Sequence, residues 1–296
     1  MLDEELLNLT QVRAFLAVVD QGGFREAAAA LGCAQPTVSQ LVRKLEEALG
    51  DLLIVRGHAQ CLPTKSGSQF LPFARALLRV DRRGRAAVKA GQLVVGASSN
   101  IGIYLLPVLM KKLSDACGQP IELKIGSNPE IADQLESGEI DVGLMEWWDE
   151  RPGFEATPWN RQSLVVIVPR THPWARRKMV SIEELVGKPL VGGEPGSGTG
   201  TLLRKALGAS SSQLRTTYQL GSTDAVKAAV KAGLGISLVM ESSVREEVRH
   251  RSLVALELED VDLAKELQSI IPANLPSSSP SRAFVSALGE LSKGAL

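Results

Sequence analysis

The chain has 296 residues, 44% of them hydrophobic, enough for more than one full core. Its 33 basic and 33 acidic residues cancel. No segment approaches the roughly 18 uninterrupted apolar residues of a membrane span. The amino terminus MLDEELLNL has no basic stretch followed by an apolar core, so a secretion signal is not expected and a cytoplasmic location is. The cysteines (Cys33, Cys61, Cys117) and histidines (His58, His172, His250) are far apart, which argues against a disulfide framework, a zinc site or any metal cluster.

The zero balance hides an asymmetry. Residues 25–90 hold 11 basic against 5 acidic side chains, so positive charge gathers in the first third of the chain. Asn8 is placed to cap a first helix running to about Asp20, with Val12, Phe15, Leu16 and Val19 inward. GFREAAAALGCAQPTVSQLVRKLEEAL, from Gly23 to Leu49, then reads as two short helices around a tight turn. Ala27, Ala28 and Leu31 pack the first helix, and Gly32 ends it. Pro36 opens the second in its first turn, where a missing N–H costs little. That helix keeps Val38, Val42, Leu45 and Leu49 on one face and shows Thr37, Ser39, Gln40, Arg43 and Lys44 among its polar positions. A helix pair of this kind has the helix-turn-helix layout, whose second helix fits the DNA major groove. Leu52 to Leu62 reads as a two-stranded wing with a polar tip, Gly57-His58-Ala59-Gln60.

The segment GFREAAAALGCAQPTVSQLVRKLEEALG, followed by Leu52–Arg56 and Leu62-Pro63-Thr64-Lys65-Ser66-Gly67, resembles the winged helix-turn-helix of the LysR-type transcriptional regulators. The likeness is specific over these first residues and looser beyond them. It implies a DNA-binding domain at 1–63, with Gln35, Pro36, Thr37, Ser39, Gln40 and Arg43 on or near the exposed face of the recognition helix. It also implies a phosphate contact from Arg56 at the base of the wing. This sequence departs from the family pattern at three points. Ala34 stands where a hydroxyl usually caps the recognition helix, at a cost of roughly 1 kcal/mol. Gln40 replaces a frequent basic residue, and Leu41 a usual polar one.

Residues 64–90 read as one long helix with an apolar stripe of Phe70, Ala74, Leu77 and Leu78, which a lone helix cannot bury. The resemblance makes this a linker whose partner is the same helix of a second subunit, in a homodimer or a homotetramer. Gly84 is an unfavourable helix residue and marks a bend or hinge.

From Gln92 strands and helices alternate: strands at Leu93–Ala97, Ile121–Ile125, Asp141–Met145, Leu164–Val168, Pro189–Val191, Thr216–Leu220, Gly235–Val239 and Leu267–Ile271. Between them lie helices at Ile101–Leu113, Pro129–Ser137, Ser181–Val186, Thr201–Leu207 and Thr223–Lys231, with a last one at Ser281–Leu291. Repeated β-α-β units predict an open parallel sheet in an α/β domain over 91–296. Lobe I is expected at about 91–162 and 268–296, and lobe II at about 163–267. Two lobes joined by crossing strands resemble periplasmic binding proteins.

Ligand chemistry is expected where strands end and helices begin. Ser98, Ser99, Asn100 and Ile101 follow the first strand, and Gly196, Ser197 and Thr199 precede a helix in the second lobe. Hydroxyls, glycine N–H groups and a helix start together suit a small anion. Plain helix capping is the alternative for each hydroxyl, and it is favoured at Ser222-Thr223-Asp224. Glu146, ending the third strand, is placed to meet an amine or an ordered water. Trp147 and Trp148 either wall the cleft or cover the lobe's edge, and His172 falls in a loop.

No Gly-Lys-Ser/Thr follows the glycines at 196–200, no dinucleotide fingerprint is spaced there, and no Gly-x-Ser-x-Gly elbow exists. Neither catalytic residues nor a cofactor are therefore expected. A stand-alone solute-binding protein would leave the first 90 residues without a use. The expected function is a ligand-responsive regulator that binds an interrupted palindromic operator and senses a small anionic metabolite. The resemblance implies RNA polymerase as a further partner.

Overall fold

The computed structural model describes residues 6–56, 61–90, 92–193, 198–259 and 261–295. Contacts divide the chain into two compact units, Met1–Ala90 with Glu136–Glu139 and Gly91–Leu135 with Ile140–Leu296.

In the first unit, the Asn8 side chain accepts the Thr10 amide at 2.8 Å and starts α1 (Leu9–Gln21). α2 (Phe24–Leu31) stops at Gly32, whose φ of 66° lies in the left-handed region that suits glycine. α3 (Gln35–Leu49) begins after Ala34, which supplies no side-chain cap, and holds Pro36 in its first turn. The antiparallel strands β1 (Ile54–Arg56) and β2 (Cys61–Pro63) pair Val55 with Leu62. The wing tip at 57–60 and the side chain of Arg56 lie outside the described residues. α4 (Lys65–Ala90) continues unbroken through Pro72 and Gly84, so no helix end falls at the expected hinge.

Val12, Phe15, Val38, Val42, Leu45 and Ala74 are fully enclosed in the core of this unit. Each such side chain contributes roughly 1.5–3 kcal/mol of burial, less for alanine. Two expectations need correcting. Leu49 is exposed, because it is the last residue of α3, just before the chain turns at Gly50. The α4 stripe is also largely spent on its own unit. Ala74 is buried, the Phe70 ring lies 5.8 Å from Phe15, and Leu77 and Leu78 pack at the edge of the same core. Among the described residues, the large apolar side chains that α4 leaves exposed are Phe73 and Val80, at 67% and 66%. Leu41, in a usually polar place, is half-buried against the core.

The second unit opens with β3 (Leu93–Ser98). The helix expected at Ile101–Leu113 is instead a wide π-type turn at Ile101–Leu105, a tight turn at Leu106–Val108 and α5 (Met110–Cys117). Pro107 has no N–H to continue a helical ladder. There follow β4 (Ile121–Gly126), α6 (Asn128–Ser137), β5 (Val142–Met145), β6 (Phe154–Pro169) and β7 (Met179–Val180). Next come β8 (Pro189–Gly192), α7 (Thr199–Leu207), β9 (Arg215–Gln219), α8 (Thr223–Lys231) and β10 (Ser237–Met240). The chain ends through α9 (Arg245–Arg249), β11 (Leu253–Leu258), β12 (Ala264–Pro272) and α10 (Pro280–Ala295). At 181–186 only a short 3-10 turn, Glu183–Leu185, replaces the expected helix.

The sheet is mixed, not purely parallel. Its strand order is β4-β3-β5-β12-β6-β11-β7, with β10 also on β6 and a separate β8-β9 pair. β4, β3 and β5 run parallel, whereas β12 is antiparallel to both β5 and β6. The long strands β6 and β12 pair from Ala264↔Ser163 to Pro272↔Phe154 and so connect the two lobes. One core runs through both lobes, from Leu93, Val95 and Val142 to Leu238, Leu256 and Leu267. Smaller clusters form around Ile131, Leu135 and Ile270 and around Val165, Val226 and Val230.

Candidate functional site

Because α3 buries Val38, Val42, Leu45 and Glu46, most of its remaining positions face solvent. Gln35, Pro36, Thr37, Gln40, Arg43 and Lys44 are exposed, and Ser39 is half-buried. Arg43 Nε donates to Glu47 Oε1 at 2.8 Å, one turn along the same exposed face. A residue the sequence reading passed over anchors this helix to the wing. Glu46 is buried, and its Oε1 accepts the backbone amides of Leu53 (2.8 Å) and Ile54 (3.2 Å). Gly67 sits where any side chain would collide with the Leu53 carbonyl, fixing the same corner.

In the second unit a cavity of about 300 Å³ opens where β8, α7, α8 and β10 meet the end of β3. Its lining brings together Asn100, Thr199, Thr201, Arg204, Thr223 and Lys265, with Leu190, Leu203, Val226 and Met240 as apolar wall. Of the effector-binding residues expected from sequence, Asn100 and Thr199 are therefore on the lining. Ser99 is turned away, its Oγ donating to Gly126 O at 3.1 Å, and Ile101 is fully buried in the core. Ser98 is buried and not on the described lining, its Oγ without a partner among the described residues. Gly196 and Ser197 lie outside the described residues.

Glu146 does not line the cavity but stands behind it. Its Oε1 accepts Asn100 Nδ2 at 2.8 Å, its backbone amide donates to Asn128 Oδ1 at 2.8 Å, and its Oε2 pairs with Lys265 Nζ. The amine it was placed to meet is thus an ammonium of the same chain. Both side chains of the pair are 2% exposed. Asn100 Oδ1 in turn accepts the Thr223 hydroxyl at 2.7 Å. In the turn expected only to cap, Ser222 Oγ does accept Ala225 N at 3.2 Å, but Thr223 faces the cavity. Trp147 packs against Gly198, and Trp148 meets Phe154 edge-on at 5.7 Å between centroids.

Beside the cavity, Tyr104 OH donates to Asp224 Oδ1 at 2.8 Å, and Lys227 Nζ lies 4.7 Å from the centre of its ring. Lys227 is buried among Asp224 (2.9 Å), Glu247 (3.1 Å) and Ser243 O (3.0 Å). Burial, reinforced by the bond to Asp224, pushes the Tyr104 phenol up to about 12. Burial alone would pull the Lys227 ammonium down, but Asp224 and Glu247 more than reverse this and raise it. His172 lies in a loop, accepting Trp174 N at 3.2 Å, and burial and then Lys188 lower its pKa. Among the described residues no group of three or more His, Cys, Asp or Glu is placed to hold a metal ion. None of their helices is long and apolar enough to cross a membrane.

A winged helix-turn-helix joined to a two-lobed α/β unit with a polar cavity defines a class of DNA-binding, effector-sensing regulators. Residues 9–68 match the model for bacterial regulatory helix-turn-helix proteins of the lysR family, and residues 86–293 match the LysR substrate binding domain. The chain belongs to the LysR family of transcriptional regulators. It is 42% identical over 196 residues to PtxE of Stutzerimonas stutzeri, described as a candidate HTH-type transcriptional regulator, covering 66% of this chain and 100% of that one. It is 30% identical over 260 residues to the RuBisCO operon transcriptional regulator of Allochromatium vinosum, covering 86% of each. A full-length OxyR variant from Pseudomonas aeruginosa has the same fold, with a TM-score of 0.64 at 22% identity over 98% of this chain and 96% of that one. So has full-length CbnR in complex with its target DNA, with a TM-score of 0.57 at 23% identity over 97% and 100%. The named relatives are regulators rather than enzymes.

Proposed function

We propose that this chain binds an interrupted palindromic operator through α3 and the wing, and changes its hold on that operator when a small anion enters the cavity of the second unit. The observation that carries the ligand reading is Arg204. Its guanidinium lines the cavity, donates to Thr201 Oγ1 at 3.3 Å and has no carboxylate partner among the described residues. The starts of α7 and α8, at Thr199 and Thr223, border the same space, and helix starts favour negative charge. Asn100, Thr199, Thr201 and Thr223 supply hydrogen bonds, with Gly196 and Ser197 assigned from the sequence alone.

The DNA reading rests on the exposed polar face of α3, the basic excess of the first third and the DNA-bound state of the relative CbnR. Gln35, Pro36, Thr37, Ser39, Gln40 and Arg43 contact bases or phosphates, and Arg56 a phosphate. A homodimer or homotetramer presents paired recognition helices to successive major-groove faces. The ligand acts by preferring one arrangement of the subunits, which alters the response of RNA polymerase in the cytoplasm.

The test is a thermal-shift screen of the full-length protein with small organic and inorganic anions, followed by mobility shifts on its own promoter DNA. A ligand at a hundredfold its Kd adds about 2.7 kcal/mol to the native state. An anion that raises Tm and changes the DNA complex supports the reading. Stabilisation by uncharged metabolites alone removes the anion, and equal binding to random duplex removes the operator.

A further inference from the structure

The cavity's charge is unusually simple. Of its described lining residues, Arg204 and Lys265 carry formal charge. Lys265 is joined to Glu146 in an enclosed pair, whose formal charges cancel. The neighbouring Asp224, Lys227, Glu247 and Lys231 also sum to zero. Among the described residues of the lining, one positive charge, that of Arg204, is left over.

Resting on the reading of this cavity as the effector site, we propose that Glu146 is its specificity-determining residue, although it does not touch the ligand. By cancelling Lys265 it leaves Arg204 as the one net positive charge of the described lining, so the cavity selects singly charged anions over doubly charged ones of similar size. A monoanion against Arg204 completes the charge balance. A dianion brings a second negative charge that no described lining residue balances, and the water it loses on entering costs free energy. Glu146 also sets the site's shape: it holds Asn100 through Oε1, and Asn100 holds Thr223, so the charge filter and the hydrogen-bonding wall are one connected network.

The experiment is isothermal titration calorimetry of the full-length protein at constant ionic strength. The probes are acetate and nitrate as monoanions, and malonate and sulfate as dianions. The wild type should favour the monoanions. Glu146→Gln keeps an acceptor for Asn100 and raises the net charge by one, so it should shift the ratio toward the dianions by roughly tenfold or more. The double variant Glu146→Gln, Lys265→Met removes both charges of the pair and should return the ratio to that of the wild type. It also carries the test if the single variant, with an unpaired buried lysine, does not fold. A wild type that binds the dianions more tightly, or a ratio unmoved by Glu146→Gln, overturns the charge rule and leaves the anion site standing. Silence toward all four probes removes the anion site and the rule with it.

Discussion

Asn100 and Thr223, 123 positions apart, are joined by a 2.7 Å hydrogen bond from the Thr223 hydroxyl to Asn100 Oδ1. One turn beyond Asn100, Tyr104 donates to Asp224, the residue next to Thr223, and its ring lies under Lys227. The turn after β3 and the first turn of α8 are therefore fastened at two successive points. Both points are polar, so the fastening depends on direction and protonation rather than on buried area.

Replacing Thr223 by valine keeps the shape and removes the donor. Asn100 Oδ1 is then left without that partner in a buried setting, at a cost of roughly 1–3 kcal/mol. Urea unfolding followed by the tryptophan signal measures this loss, because all four tryptophans lie in the second unit. An unchanged midpoint would show that the bond adds nothing to stability.

Tyr104 gives a pH signature. Its phenol is raised from 10 to about 12, burial being the larger cause and Asp224 the next. The fold therefore favours the neutral phenol. This contribution is fully present below pH 10 and is lost as pH rises toward 12. The chain has two tyrosines, so the ultraviolet difference between wild type and Tyr104→Phe isolates one titration. The expected step lies near 12, and a step at 10 removes the bond from solution. Stability of the wild type should also fall more steeply than that of Tyr104→Phe between pH 10 and 12.

The sequence was most informative where local chemistry decides structure. Asn8 and Gly32 mark the start of α1 and the end of α2, and the apolar spacing of Val38, Val42 and Leu45 places α3. Periodicity misled at Ile101–Leu113. Ile101, Leu105, Leu106, Leu109 and Leu113 are all buried, as one helix would have them, yet Pro107 divides them among a wide turn, a tight turn and α5. Only about a third of β6, Leu164–Val168, was legible. Leu164–Val168 is a buried apolar run, whereas Phe154–Ser163 is mostly exposed and polar and draws its strand structure from pairing with β12. That pairing, with the antiparallel β10 and β11, is what makes the sheet mixed. In the cavity, Asn100 and Thr199 were visible as polar residues at strand-to-helix turns. Lys265 and Arg204 were not, because one sits inside a strand and the other within a helix, with no motif around either. Glu46 looked like one more surface glutamate, and only the return of the chain at Leu53 makes it an anchor.

Glu46 should therefore matter more than its neighbour Glu47. Glu46→Ala leaves the amides of Leu53 and Ile54 without their acceptor, and both residues are buried. Bonds to a carboxylate contribute roughly 1.5–3 kcal/mol each, so a loss of about 3 kcal/mol is expected. Glu46→Gln keeps an acceptor oxygen and should lose less. Helical circular dichroism in urea, set against the tryptophan signal of the second unit, reads the first unit. A loss below about 1 kcal/mol for Glu46→Ala would mean that water replaces the carboxylate.

Along α4 two faces should respond differently. Ala74 is enclosed in the core, so Ala74→Glu should unfold the first unit. Phe73 and Val80 are exposed and two turns apart, the spacing of one helical face. Phe73→Glu with Val80→Glu should keep the fold and weaken self-association, which sedimentation velocity at micromolar concentration measures. A double variant that sediments like the wild type would place the subunit contact elsewhere.

Arg43 offers the sharpest test of the DNA face. Glu47 holds its Nε at 2.8 Å and so orients the guanidinium, leaving its terminal nitrogens for the proposed DNA contact. Both side chains are exposed, and such a pair contributes little to stability by itself, typically below about 1 kcal/mol. Its effect should appear in recognition instead. Arg43→Ala should weaken operator binding by about 1–3 kcal/mol with little loss on random duplex if the guanidinium reads a guanine. Equal losses on both duplexes would assign it to a phosphate, and no loss on either would take it out of the interface. Glu47→Gln removes a negative charge from the proposed DNA face and frees Arg43 from its tether. Binding to random duplex should therefore rise while the preference for the operator falls. Fluorescence anisotropy with both duplexes at matched salt separates these outcomes, since the phosphate term alone follows salt concentration steeply.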